Sequence, residues 1–365
     1  MWRESIRQTS GSLSAGMPVS VLDEGNVIGH GLADPESPIQ VRAWGEPFTA
    51  QLVSQRATSA MALRHRLFAG QRTSAFRLIA GEGDRMPGLV VDVYAQFAVV
   101  RLDGSSLQPH RELLTRILRP IVNQIDIVTM SERESIRGEK PKFTEWFGDP
   151  LPQQVNVEEY GVPFVVDLHD GQKTGAFLDQ RDNRRLVGTL ANGKRVLNLF
   201  SYAGGFSLHA ALGGATHVTS VDIAPKGHAT AQKSFKLAGV DPNLHSFVTA
   251  DVFQFLDRCA VRGDRWDLIV CDPPSFAPNE KSVGTALAAY RKLHRGCAQV
   301  LSQGGLLCAA SCSSHVDAAR FMSTLDDVSL GRSDLRLLQL NGPPPDHPTL
   351  PAWSEGRYLK FALLG

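Results

Sequence analysis

The sequence predicts an α/β protein: a doubly wound parallel sheet in the C-terminal part, preceded by a small all-β module and a central α+β module. From residue 161 onward, short apolar runs alternate with amphipathic ones, the βαβ pattern of a parallel sheet covered on both faces. Residues 196–214 carry the opening of such a sheet. Val196-Leu197-Asn198-Leu199-Phe200 reads as a buried strand, Ser201-Tyr202-Ala203-Gly204-Gly205 as a turn, and the run after it as a helix. Upstream, apolar residues recur at every second position between Gly, Pro and Asp turns, the mark of half-buried strands.

In order, residues 18–22 and 27–32 read as strands joined by the turn Asp23-Glu24-Gly25-Asn26, and 39–44 as a third. Together they predict a β module of compact-barrel size over residues 1–68. Arg56, Arg64, His65, Arg66, Arg72 and Arg77 follow with few acids between them, either as a solvated helix face or as a track for a phosphate backbone. Residues 76–79, 88–94 and 97–102 alternate again and 109–118 reads as a helix, which gives an α+β module over 69–160. Beyond it, 162–168 is a strand or hairpin arm. Residues 196–200, 217–223, 246–250, 268–271 and 305–310 are the candidate sheet strands. The helical segments include 181–190, 226–237 and 286–301.

At 365 residues the chain is long enough for two or three domains. A hydrophobic content of 42% and a charged content of 21% are those of a globular protein. No apolar run approaches membrane-spanning length, and MWRESIRQTSGS lacks the charged-then-apolar order of a secretory signal. The formal net charge of +1 neither favours nor excludes nucleic acid. Cys259, Cys271, Cys297, Cys308 and Cys312 are odd in number and lack metal-like spacing, which points to free thiols in a reducing cytoplasm.

In doubly wound sheets the ligand lies beyond the C-terminal strand ends. Collected there are the Ala203-Gly204-Gly205 turn, Asp222, Asp251, Asp272-Pro273-Pro274 and Ser311-Cys312-Ser313. A single strand-end Asp is commonly a helix N-cap. Three acids with a glycine turn at matching ends point instead to a nucleotide-type cofactor. Asp222 lies roughly 20 residues past the turn, where such folds place an acid on ribose hydroxyls, and Asp251 suits an adenine amine. The turn reads Tyr202-Ala203-Gly204-Gly205-Phe206-Ser207, not G-x-G-x-x-G. Asp272-Pro273-Pro274 has no role in hydride transfer but suits a grip on a planar base, stiff prolines beside an accepting carboxylate. That composition favours S-adenosylmethionine over a nicotinamide cofactor.

Four of the cysteines read as small core residues. Cys312 differs, because it follows a strand and stands among Ser311, Ser313 and Ser314, company in which a thiol can be exposed and activated. Carbon 5 of cytosine is a poor nucleophile. A thiolate adding to carbon 6 turns the ring into an enamine able to attack a methyl sulfonium, and protonation or hydrogen bonding at ring nitrogen 3 by Asp272 favours that addition. A base then removes the carbon 5 proton and the thiol leaves. No residue stands out in the sequence as that base.

Further strings occur in order: Phe76-Arg77-Leu78-Ile79, Glu82-x-Asp84-x-x-Pro87-Gly88-Leu89 and Gly171-Gln172-Lys173-Thr174-Gly175-Ala176-Phe177-Leu178-Asp179-Gln180-Arg181. Asn198-Leu199-Phe200-Ser201-Tyr202-x-Gly204-Gly205-Phe206, Asp272-Pro273-Pro274-x-Phe276 and Ser311-Cys312-Ser313 follow, then Asp346-His347-Pro348 and Glu355-Gly356-x-Tyr358-Leu359-Lys360. Along nearly the whole chain they resemble the RlmI-type 5-methylcytosine methyltransferases of bacterial large-subunit rRNA. The resemblance implies a PUA-like module at 1–68, a central domain at 69–160 and a Rossmann-like class I methyltransferase domain at 161–365. It implies S-adenosylmethionine held by Phe177, Asp179, Gln180 and Arg181 together with Phe200, Ala203, Gly204, Gly205, Asp222, Asp251 and Asp272. Cys312 is then the nucleophile, and Asp272 binds the target base with Pro273, Pro274 and Phe276 beside it.

Other RNA 5-methylcytosine enzymes carry a second cysteine just after the Asp-x-Pro; here that position is Ser275, as in the RlmI-type pattern, and proton removal stays unassigned. Family members open with a basic strand leading into a Pro-Trp segment, whereas this chain begins near that tryptophan, at Trp2, so either the start is truncated or the module lacks a strand. Arg42 and the arginines at 64–72 remain candidate phosphate contacts, and His315 either borders the site or simply starts a helix. The implied partner is large-subunit rRNA, naked or in an assembling particle, and the resemblance allows a homodimer. Three other readings stay open. Asp272-Pro273-Pro274-Ser275-Phe276 would equally hold an exocyclic purine amine for methylation, with Cys312 inert. The fold could also serve a non-catalytic RNA-binding protein or, more remotely, a dehydrogenase.

Overall fold

Period-two alternation at the N-terminus gives three antiparallel strands, β1 (Pro18–Asp23), β2 (Asn26–Ala33) and β3 (Val41–Ala43), in the order β1-β2-β3. The connection between the first two is Glu24-Gly25, both at positive φ, as a tight hairpin requires. Helix α1 (Ala50–Phe68) follows, and the Thr49 hydroxyl caps it by accepting from Leu52 N at 3.2 Å. A five-stranded sheet comes next: β4 (Ala75–Ala80), β5 (Leu89–Tyr94), β6 (Phe97–Leu102), then helix α2 (Arg111–Val122), β7 (Thr129–Glu134) and β8 (Lys142–Phe147). β6 and β7 are parallel, so α2 is the crossover between them. One core joins Leu32 and Trp44 to α1, α2 and this sheet. Strands β9 (Gln154–Glu159) and β10 (Val162–Asp167) then pair as a two-stranded sheet.

Helix α2 runs past the predicted end at 118 and through Pro120. A proline there removes one backbone hydrogen bond, but Leu118, Ile121 and Val122 are all buried, and their burial offsets that loss.

The computed structural model describes residues 1–135 and 139–365, and the chain divides into two units. The first comprises Met1–Gly161, Val166–Leu178 and Pro345–Leu350; the second comprises Val162–Val165, Asp179–Pro344 and Pro351–Gly365.

Four arginines of the first unit are spent within it. Arg42 is buried and bonds Asp34 at 3.0 Å, and Arg64, 1% exposed, forks onto Asp84 at 2.7 and 2.8 Å. Arg56 donates to the carbonyls of Trp44 and Arg85, and Arg77 forks onto the buried Asp92. These four are structural, which removes them as phosphate contacts. Of the 64–72 stretch, His65, Arg66 and Arg72 stay exposed, and Arg72 pairs with Glu158.

The second unit is built on α3 (Arg181–Leu190), β11 (Arg195–Leu199), α4 (Gly205–Leu212), β12 (His217–Asp222) and α5 (Pro225–Leu237). It continues through β13 (Ser246–Thr249), α6 (Val252–Arg262), β14 (Trp266–Cys271), α7 (Val283–Val300) and β15 (Leu301–Ser311). It ends with α8 (Ala318–Gly331), β16 (Leu337–Asn341) and β17 (Lys360–Leu364). The seven strands lie in the order β13-β12-β11-β14-β15-β17-β16. The first five are parallel, and β17 is antiparallel to both its neighbours. Alternate residues feed two cores: Leu197, Leu199, Ile269 and Leu307 pack under α6, α7 and α8, while Val196, Val218, Leu268 and Val270 pack against α3 and α4. Both faces are covered, as continuous apolar strands demand.

Candidate active site

Register sets the site. Leu199 pairs with Val221 on one side and Cys271 on the other, so the next residues, Phe200, Asp222 and Asp272, stand in a row along one sheet edge. On the far side Cys271 pairs with Ala309, so Ala310 stands level with Asp272 and Cys312 follows two residues further, just after Ser311 pairs with Lys360. The strand-end positions expected from the sequence are therefore brought together at the C-terminal ends of five parallel strands.

The turn after β11 is tightly wound. Phe200 and Tyr202 adopt positive φ, 57° and 46°, without being glycines. Gly204 caps α4 at φ 73°, and a Cβ there would lie 2.6 Å from Ala231 on α5. A Cβ on Gly205 would lie 2.7 Å from Arg184 of α3. Ala203 is half-buried between them. Both glycines thus hold α3, α4 and α5 close around a backbone whose amides open the helix.

Asp222 is half-buried, and its two oxygens accept from the Tyr202 and Ala224 amides, both at 2.8 Å. This fixes the carboxylate at the turn and leaves each oxygen a further lone pair for a hydroxyl. Asp251 is exposed and caps α6, accepting from Gln254 N at 3.0 Å. Its capping role is thus clear, and its second oxygen is left for an amine. Ser201 Oγ is buried at the turn with no hydrogen-bond partner. An adenosine-type cofactor fits this set: close backbone approach, a fixed acid for ribose hydroxyls and an unsatisfied hydroxyl in the turn.

Asp179, Gln180 and Arg181 are buried where α3 begins, on the helix whose Arg184 lies against Gly205. Asp179 Oδ2 accepts from the Tyr358 hydroxyl at 2.6 Å, and Gln180 Oε1 accepts from Asn183 at 2.6 Å. Arg181 stands 3.6 Å from Asp182. Phe177 belongs to the other unit, where the Lys173 ammonium lies 4.6 Å over its ring. Much of the string at 171–177 has a structural use there. Thr174 donates to Asp92 at 2.6 Å, Tyr94 and Thr174 share a 2.9 Å hydrogen bond, and the Ala176 amide donates to Tyr94. Asp346 likewise accepts from the Arg77 amide at 2.9 Å, which accounts for the Asp346-His347-Pro348 string.

Beyond β14, Asp272 and Phe276 are half-buried, Pro273 is buried and Pro274 is exposed. The Cys312 Sγ lies 4.0 Å from the Pro273 carbonyl oxygen, so the two strand-end strings meet. Cys312 is half-buried, whereas the other four thiols are buried. Burial pushes the Cys308 thiol up to about 12 and holds Cys271 protonated as well. Ser313 fastens the loops: its Oγ is 3.0 Å from Ser275 and 3.1 Å from the Tyr290 hydroxyl, which also donates to Ser311 at 2.9 Å. The Phe276 ring lies 5.0 Å from that of Tyr290. His315 is 3.6 Å from Glu280 on the exposed side.

Two contributors had no role in the sequence reading. Tyr290 sits mid-helix in α7 with nothing around it to announce a polar contact. Lys360 was recognisable only as a string member, although a single charge heading the apolar run Phe361-Ala362-Leu363-Leu364 is itself a signal.

Residues 133–355 match the sequence profile of a family described as S-adenosylmethionine-dependent methyltransferase. Over 99% of its length the chain is 33% identical to Ribosomal RNA large subunit methyltransferase I of Alteromonas mediterranea, covering 92% of that protein. The protein of the same name from Photobacterium profundum is also 33% identical, with 95% of this chain and 89% of its own covered. A solved methyltransferase complexed with SAH superposes with a TM-score of 0.85 at 26% identity, over 96% of this chain and 92% of its own. The glycine turn with its fixed acid and these likenesses agree: the chain is an S-adenosylmethionine-dependent methyltransferase and belongs to the Ribosomal RNA large subunit methyltransferase I family.

Proposed function

We propose that this protein methylates carbon 5 of a cytosine in large-subunit rRNA, with Cys312 as covalent nucleophile. The observation that carries the reading is Cys312 itself, a half-buried thiol at the end of β15, against the Asp272-Pro273 loop and among hydroxyls. The relatives' printed names supply the rRNA, and the flipped base would leave its stack at least cost where the RNA is unpaired.

Phe200, Ala203, Gly204, Gly205 and Asp222 would hold the adenosine part of the cofactor, with Asp251 at its amine and Asp179, Gln180 and Arg181 at the adjoining helix start. The assignment of Phe177 rests on the family resemblance alone. When bound, S-adenosylmethionine supplies an electrophilic methyl group. Cys312 Sγ adds to cytosine carbon 6, which makes carbon 5 nucleophilic; after methylation the carbon 5 proton leaves, the carbon–sulfur bond breaks and the thiolate returns. Asp272 would bond ring nitrogen 3, with Pro273, Pro274 and Phe276 shaping the base pocket. The three-module reading, 1–68 PUA-like, 69–160 central and 161–365 methyl-transferring, belongs to this proposal, as do a cytoplasmic location, an assembling-particle substrate and a homodimer. Among the described residues no helix is long and apolar enough to cross a membrane.

The test is nucleoside mass spectrometry of deproteinised large-subunit rRNA after incubation with the protein and labelled S-adenosylmethionine. Label in 5-methylcytidine is expected. Label in an N-methylated purine would overturn the Cys312 mechanism.

A further inference from the structure

Lys360 opens β17, in register with Ser311, the residue before Cys312. Its side chain is buried, 3% exposed, and Nζ donates to the carbonyl oxygens of Ser313 and Tyr358, both at 2.7 Å. Ser313 is the residue after Cys312, so the ammonium is fastened to the backbone just after the thiol while the lysine's own backbone pairs with the residue just before it. Among the described residues no carboxylate lies within ion-pair distance of it. A buried cation held by carbonyl dipoles alone is costly, and an ionised neighbour relieves that cost.

We propose that Lys360 is the counter-charge of the Cys312 thiolate: clamped between Ser313 and Tyr358, its ammonium favours loss of the thiol proton to solvent and readies the sulfur for addition. The inference rests on the reading of Cys312 as nucleophile. On ionisation the S–H bond breaks with its electron pair left on sulfur, while Lys360 keeps all three of its protons. Lys360 is thus a positioning residue, acting through the thiol.

The surrounding groups leave this role to Lys360. Asp272 after β14 is an acid at the same sheet edge and supplies no positive charge. Tyr290 on α7 is kept neutral, its pKa raised by burial and by the charge at Cys312. Cys271 at the end of β14 is buried and protonated. Asp317 caps α8, and His315 and Glu280 pair on the exposed side. Asp179 takes the hydroxyl of Tyr358. Burial lowers Lys360 to about 8, against the pull of charge at Cys312 and then Asp317, so most of it carries its proton at neutral pH.

The experiment is the rate of Cys312 alkylation by iodoacetamide against pH, read by peptide mass spectrometry, in the wild type, Lys360→Met and Lys360→Arg. The wild-type midpoint is expected below the ~8.5 of a free cysteine, and Lys360→Met should slow alkylation at pH 7 by about tenfold, the curves converging at high pH. Lys360→Arg should keep most of the wild-type rate. A Lys360→Met protein that melts like the wild type and gives an unchanged profile overturns the proposal. If that variant does not fold, a wild-type midpoint at or above ~8.5 overturns it alone. Neither rRNA nor methyl donor enters the assay, so its failure is separate from failure of the rRNA reading.

Discussion

Gly204 and Ala231 are in such close contact that a Cβ on the glycine would fall 2.6 Å from the alanine Cβ, with the glycine at φ 73°. Gly204→Ala therefore meets two costs, ~1–2 kcal/mol for a left-handed L-residue and ~1–3 kcal/mol for overpacking. The protein should lose about 2–5 kcal/mol of stability, read by urea unfolding. Its affinity for SAH by calorimetry should fall as the turn shifts. Wild-type stability in the variant would mean that α5 can move away from the turn at no cost.

Cys312→Ala separates chemistry from binding. Cys312 follows β15, whereas the glycine turn and Asp222 end β11 and β12 with β14 between, so calorimetry should give the wild-type affinity for S-adenosylmethionine. Methyl incorporation should drop on the order of 10³-fold or more, the scale on which covalent nucleophiles are lost. A merely modest loss of turnover would favour methylation of an exocyclic amine, for which the thiol is idle.

The contrast between these residues shows what a sequence exposes. Gly204, Asp222, Asp272 and Cys312 are legible because strand ends of a parallel sheet collect chemistry, and each stands at or within a few residues of the end of an apolar run. The arginines at 56, 64 and 77, read either as a solvated face or as phosphate contacts, have internal partners that sequence does not show, since the Trp44 and Arg85 carbonyls, Asp84 and Asp92 come from distant turns and strands. Lys360 is set beside Cys312 by the antiparallel pairing of β15 and β17 across nearly fifty residues, a register no local pattern encodes. The string at 171–177 was legible as a motif but not in its use, since Thr174 and Ala176 answer to Tyr94 and Asp92 on β5.

Arg77 and Asp92 make a second test, of stability. Burial alone would raise the Asp92 pKa, but the Arg77 guanidinium and the bonds from Arg77 and Thr174 outweigh it and hold the carboxyl below its ordinary range. Arg77→Leu leaves that carboxylate buried without its partner and should cost ~3–5 kcal/mol in urea unfolding. A depressed acid contributes stability above its unfolded pKa, ~3.9, and loses it as pH falls through the lower folded value. In Asp92→Asn the acid limb below pH ~4 should therefore be shallower than in the wild type. An equally steep limb would assign the acid sensitivity to other carboxylates.

His209 and His294 set the stability at higher pH. Burial lowers His209 to about 3, helped by the charge of Arg184, and lowers His294 to about 4 against a bond with the Thr324 carbonyl. In the unfolded chain both rings bind a proton near pH ~6.5. Below that value the unfolded state takes up protons that the folded state refuses, so stability falls as pH drops and recovers above it. At pH 5 each buried ring should cost about 2 kcal/mol relative to pH 7. His294→Phe keeps the ring contacts with Tyr290 and Phe321, 6.0 and 5.8 Å between centroids, and removes the proton site. Urea unfolding at both pH values should then give a difference smaller by about that amount; an undiminished difference would mean that His294 is reached by solvent and protonated in the folded protein.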